Sequence, residues 1–126
     1  MTPLSSPDSG KGHRVVFQFV SPDEASQKAL IGNLKNLLAA WPEADIEVVV
    51  HGPGISLIIA REAQYANQLQ AFFDSYNVRF VVCENSLRSK RLSLADMLPF
   101  VETVPVAIVE LILKQEQGWA YIKGGL

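Results

Sequence analysis

Residues 45–51 read DIEVVVH, a run of valines between an acidic start and a histidine. A strand with one face in water alternates apolar and polar residues, whereas a strand covered on both faces carries a continuous β-branched run. The run therefore predicts a central strand of a parallel sheet, and parallel strands need crossover connections, usually helices. Two further runs read as its companions, RVVFQFV (14–20) before it and VRFVVC (78–83) after it.

The segments between these strands carry helix signals. At SPDE (21–24), Ser21 is an N-cap, Pro22 suits the first helical position and Glu24 sits where a capping box places its carboxylate. Such a cap contributes ~1 kcal/mol, enough to set where strand gives way to helix. Leu30, Leu34, Leu37, Leu38 and Trp41 then form one apolar stripe, closed by Pro42. After His51 a Gly-Pro-Gly turn opens a short apolar helical segment. A second helix over 63–76 carries Tyr65, Leu69, Phe72, Phe73 and Tyr76 on or near one face, with Tyr65, Phe72, Phe73 and Trp41 read as core, and Asn77 can end it in the left-handed conformation. ENSLRSKRL (84–92) makes a turn and one helical turn, and Ser93 to Asp96 repeats a capping pattern. VETV (101–104) is a short fourth strand, PVAIVELILKQEQ (105–117) a helix stopped by Gly118, and WAYIKG (119–124) the fifth strand. Alternation of this kind implies right-handed crossovers and one three-layer α/β/α domain around a mostly parallel five-stranded sheet. That domain spans 14–126, behind a flexible Ser, Pro and Gly-rich tail over 1–13.

Composition narrows the function. A chain of 126 residues, 48% of them hydrophobic, buries roughly two-thirds of its unfolded surface and needs no staple. Eleven basic against thirteen acidic residues, a formal charge of −2, argue against nucleic acid or an anionic membrane surface as partner. One cysteine makes no internal disulfide and, without a CxxC pair, no thiolate zinc site. No apolar run approaches the ~18 residues of a membrane span, and residues 1–13 lack the apolar core of a secretory signal. The expectation is a cytoplasmic protein in a reducing compartment. No phosphate-loop, dinucleotide, HExxH or GxSxG pattern appears, so neither cofactor nor metal is expected.

In a parallel sheet, sites form beyond the carboxyl ends of the strands. His51 ends the second strand and Cys83 the third, and if these strands are neighbours the two lie about one strand spacing (~5 Å) apart. A free cysteine is only a few per cent thiolate at neutral pH, and positive potential is what raises that share. The sources on offer are the N–H groups opening the turn after Cys83, the side chains of Arg88, Lys90 and Arg91, and His51, with Glu84 acting in the opposite sense. Against this stands the ordinary behaviour of each residue type. A lone cysteine ending a valine-rich strand packs as a small hydrophobe, a histidine before a turn caps it, and a basic trio forms a solvated face.

With HGPGISLI, CENSLRSKRL and QGWAYIKGG in view, the sequence resembles the DsrE-like (DsrE/DsrF-like) family of small sulfur-relay proteins over residues 14 to 124. The family's His-Gly turn corresponds to His51, Gly52, Gly54 and Leu57. Its Cys-x-Asn-Ser/Thr-Leu loop corresponds to Cys83, Asn85, Ser86 and Leu87, and its Gly-Trp-Ala-Tyr-Ile-Lys end to residues 118–123. Where many relatives open the last helix with a Val-Pro-Ser-Gly turn, this chain has Pro105, Val106 and Ala107, which leaves no hydroxyl there. The resemblance implies a homo-oligomer (dimer, trimer or hexamer) and a sulfurtransferase-like carrier that exchanges sulfur with donor and acceptor proteins. Cys83 is then the sulfur acceptor, Asn85 and Ser86 shape its loop, His51 and Gly52 form the adjacent wall, and Arg88 lies on the cationic side. The alternative is a non-enzymatic homo-oligomeric binding module in which Cys83 only packs.

Overall fold

The computed structural model describes residues 8–126, so the first seven residues of the expected tail lie outside the described residues. Five strands form one sheet in the order β4-β3-β2-β1-β5, with every neighbouring pair parallel. They are β1 (Arg14–Phe19), β2 (Asp45–Val50), β3 (Val78–Cys83), β4 (Val101–Val104) and β5 (Ala120–Lys123). The valine run of β2 sits at the centre and is buried from Ile46 to Val50, as its lack of alternation required.

The strand order decides which face each helix covers. From β1 to β4 the chain steps across the sheet in one direction, and it then crosses back over the whole sheet to place β5 beside β1. Right-handed crossovers put everything made during the outward walk on one face and the return helix on the other. The first face thus carries α1 (Glu24–Ala40), a 3-10 helix (Gly52–Leu57), α2 (Ala66–Ser75) and α3 (Glu84–Ser89). These pack Leu30, Leu34, Leu38, Ile55, Leu57, Leu69 and Leu87 against Phe17, Phe19, Ile46, Val48 and Phe80 of the strands. Each large side chain buried there contributes roughly 1.5–3 kcal/mol. The second face carries only α4 (Ala107–Glu116), and its smaller cluster is Val16, Val49, Val81, Cys83, Val104, Ala107 and Leu111. The three layers are present and unequal.

Several local expectations are corrected. α1 starts at Glu24 with Asp23 as its N-cap, and Ser21 instead accepts the Asp23 N–H at 3.1 Å, a serine turn that precedes the helix. Glu24 makes no capping box and accepts the Tyr65 hydroxyl at 3.1 Å. α2 is shorter than expected, and Tyr76 leaves it in extended geometry, so Asn77 is not left-handed. Among the described residues Arg91 is the only non-glycine with positive φ, at 56°. Phe73 and Tyr76 lie 38% and 39% exposed rather than in the core, although Phe73 stacks on Phe100 at 5.4 Å. Residues 8–13, read as tail, form a turn in which His13 stacks on Trp41 at 3.8 Å and Gly10 packs on the same residue. The capping pattern at Ser93 and Asp96 forms as expected, around a 3-10 turn.

Candidate functional site

The loop leaving β3 enters α3 on one face, and the loop leaving β4 enters α4 on the opposite face. Where neighbouring connections diverge in this way, a crevice opens at the carboxyl ends of the strands. Cys83, the last residue of β3, lies at that divergence, paired in register with Val104, the last residue of β4. Strand alternation turns its side chain toward α4. There the Ala107 backbone N–H, the first of α4, donates to Cys83 Sγ at 3.3 Å. Cys83 is also the N-cap residue of α3, so the sulfur lies where two helices begin and unpaired N–H groups converge.

Burial pushes the Cys83 thiol up, but the N–H groups of Ala107, Ser86 and Asn85 and the Ser86 hydroxyl together outweigh it. The net result is a thiol more acidic than an ordinary cysteine. The sequence offered Arg88, Lys90 and Arg91 as sources of this potential. All three are exposed, and the Arg88 guanidinium is turned onto Asn85 Oδ1, so the work falls to backbone and hydroxyl dipoles. The Pro105–Ala107 turn lacks a hydroxyl, yet it retains the N–H that matters. Cys83 is nonetheless only 5% exposed.

His51 lies one register step beyond the Val50–Val82 pair, beside Cys83 on the neighbouring strand end, as expected if β2 and β3 were adjacent. Gln18 Nε2 donates to His51 Nε2 at 3.0 Å, and Gln18 Oε1 accepts the Tyr121 hydroxyl. That pattern leaves the ring proton on Nδ1. Burial lowers the His51 pKa, so the ring is a neutral imidazole at pH 7. Gly52 takes φ 57° and donates its N–H to Ser86 Oγ at 2.8 Å, tying the His51 loop to α3. Next to it, Gly54 packs so closely on the end of β1 that an added Cβ would lie 2.7 Å from the Phe19 carbonyl oxygen. Cys83, His51, Gly52, Asn85 and Ser86 therefore gather at one sheet edge, with Arg88 on its outer side.

Three participants were not singled out beforehand, Gln18, Tyr121 and Glu47, and Ala107 was noted only for the hydroxyl its turn lacks. Gln18 and Glu47 each interrupt an apolar strand, which is the signal that could have exposed them. Glu47 has no exposure. Its carboxyl is pushed up to about 8, first by burial and then by the facing Glu110, despite Lys114 and Arg79 nearby. Among the described residues no cluster of three or more His, Cys, Asp or Glu side chains could hold a metal, and no helix is long and apolar enough to cross a membrane. A cleft of about 460 Å³ lined by Phe73, Tyr76, Arg79 and Trp119 opens at the amino ends of β2 and β3, the wrong end for the thiol.

Comparison with known proteins agrees with the fold. No curated protein gives a match. A solved structure of a protein of unknown function from Methanobacterium thermoautotrophicum is similar, with 32% identity and a TM-score of 0.83 over 88% of this chain and 98% of that one. The profile of the DsrE/DsrF-like family matches residues 13–123, which include all five strands and the Cys83 loop. The chain belongs to the DsrE/DsrF-like family, which is associated with sulfur relay.

Proposed function

We propose that the protein is a sulfur carrier in which Cys83 holds sulfur as a persulfide. The observation that carries this reading is the Ala107 N–H on Cys83 Sγ, one of a set of dipoles that make the thiol more acidic. The Cys83 thiolate attacks the outer sulfur of a donor persulfide. The donor's S–S bond breaks, the donor leaves as a thiolate, and Cys83 becomes a persulfide anion. Transfer onward repeats the exchange with an acceptor thiolate and returns the Cys83 thiolate, so no external oxidant or reductant is consumed. The N–H groups that stabilise the thiolate also stabilise the persulfide anion.

Donor and acceptor proteins and a homo-oligomer belong to the same proposal. Support for self-association comes from α4, whose outer side exposes Ile108, Val109, Ile112 and Leu113, a continuous apolar stripe of the kind that partners cover. The test of relay is transfer: protein preloaded with polysulfide is desalted and mixed with a reduced acceptor thiol, and both masses are followed. Wild type should lose one sulfur as the acceptor gains it, and Cys83→Ser should carry none. Equal loading of Cys83→Ser sinks the reading.

One observation favours a second reading. A cysteine 5% exposed suits a non-enzymatic binding module in which the thiol only packs. That reading expects a thiol reagent to label Cys83 slowly in the native oligomer and quickly once it is unfolded.

A further inference from the structure

On the face of the sheet that holds Cys83, three carboxyl groups meet two cations beneath α4. Glu47 Oε2, from the middle of β2, accepts Arg79 Nη1 at 3.1 Å and has Lys114 Nζ at 3.9 Å. Its Oε1 is buried and has no hydrogen-bond partner among the described residues, and the carboxyl of Glu110 faces Glu47. α4 supplies Glu110 and Lys114, themselves 4.0 Å apart, β3 supplies Arg79, and β4 supplies Glu102, 3.5 Å from Arg79. On the other side β1 places Val16 beside Glu47, β5 places Tyr121 beyond it, and Arg14 is occupied by the Gln117 carbonyl oxygen. Three carboxylates against two cations leave one negative charge uncompensated. Two facing carboxyls in a buried site do not both ionise readily, so the cluster keeps a proton. A proton on Glu47 Oε1, donated to Glu110, also satisfies an oxygen that is otherwise buried without a partner.

The same helix covers the sulfur. Ala107, Glu110, Leu111 and Lys114 fall at the spacing of one helix face, so the turn that rests on Cys83 is followed directly by the turn that rests on Glu47. Only Ala107 and Leu111 of α4 are buried, and a helix anchored by so few side chains opens readily. We propose that the Glu47–Glu110 carboxyl pair is a proton-dependent latch on α4, which keeps Cys83 covered while the proton is shared and uncovers it when the proton leaves. Once both carboxyls are charged they repel across the sheet–helix interface, and the first turns of α4 lift. Glu47 holds its proton up to about pH 8, which puts the release on the alkaline side of neutrality. The use of the latch rests on Cys83 being the sulfur acceptor, while the latch itself does not.

The experiment is amide hydrogen exchange along α4, corrected for intrinsic rates, near pH 6.5 and near pH 9, on wild type, Glu47→Gln and Glu110→Gln, with β2 amides as a control for global opening. Wild-type protection of α4 should fall about tenfold, a change of about 1.4 kcal/mol, while β2 stays protected. Each Gln variant carries one carboxyl fewer and should keep its α4 protection. A wild type indifferent to pH, or an equal loss in all three proteins, overturns the latch. Polysulfide loading of the same samples separates the two ideas: a wild type whose α4 opens with pH while Cys83 takes no sulfur supports the latch and defeats the carrier reading.

Discussion

The Ala107 N–H meets Cys83 Sγ at 3.3 Å, joining the first residue of α4 to the last residue of β3. Proline deletes this donor without opposing the helix, because the first helical position tolerates it and Val106 already has the extended backbone, φ −141° and ψ 120°, that a residue before proline adopts. Ala107→Pro should therefore raise the thiol pKa, read as a later midpoint of thiolate absorbance against pH. An unchanged midpoint would mean that the bond does not set the acidity of the thiol.

Glu47 gives the fold a pH dependence of definite sign. Its carboxyl rises from an ordinary 4.5 to about 8 on folding, so between those values the folded chain holds a proton that the unfolded chain has lost. Stability then declines as pH climbs through that window and levels off above it. Urea midpoints measured across the window should fall for wild type and fall less for Glu47→Gln. Parallel curves for the two proteins would contradict the shift.

Gln18 holds His51 by accepting from Tyr121 and donating to the imidazole. In Gln18→Ala the imidazole loses the donor that keeps its proton on Nδ1. Nitrogen shifts of the His51 ring should move from a single tautomer toward a mixture. A ring that stays on one tautomer would show that Gln18 is a bystander.

Gly54 secures the loop carrying His51 against the end of β1. A methyl group there meets backbone atoms, the Phe19 carbonyl oxygen at 2.7 Å and Val20 Cα at 2.8 Å, neither of which can swing aside. Gly54→Ala should cost about 1–3 kcal/mol in urea denaturation. A loss below ~0.5 kcal/mol would mean that the loop adjusts freely.

Much of this architecture was legible in the residue order. The runs at 14–20, 45–51 and 78–83 mark their strands because a strand covered on both faces needs nothing but apolar, β-branched residues, and breakers bound each run. Helix starts were less clear: Ser21 and Asp23 are both competent caps, and the bond that Ser21 makes to the Asp23 N–H, not its residue type, decided between them. The stripe on α2 marks a buried face but not its width, so Phe73 passed for core. Cys83 and His51 could be placed at strand ends because they follow valine runs. The Pro105–Ala107 turn was noted for its missing hydroxyl, but every residue except proline carries an N–H, so residue type could not mark Ala107 as the donor. Tyr121 and Gln18 are 103 positions apart, and only the return of the chain to β5 beside β1 brings them together. Glu47 was visible as a charge inside a buried strand, but its cluster depends on which helix crosses above it.

The most direct test of Cys83 as a working sulfur acceptor is a polysulfide pulse near pH 9, where the latch is open, on native wild type, native Cys83→Ser and unfolded wild type, read by intact mass. Native wild type should gain one sulfur, held as the persulfide anion by the N–H groups of Asn85 and Ser86, and Cys83→Ser should gain none. Sulfur gained only after unfolding would contradict the account and leave Cys83 as packing between β3 and α4.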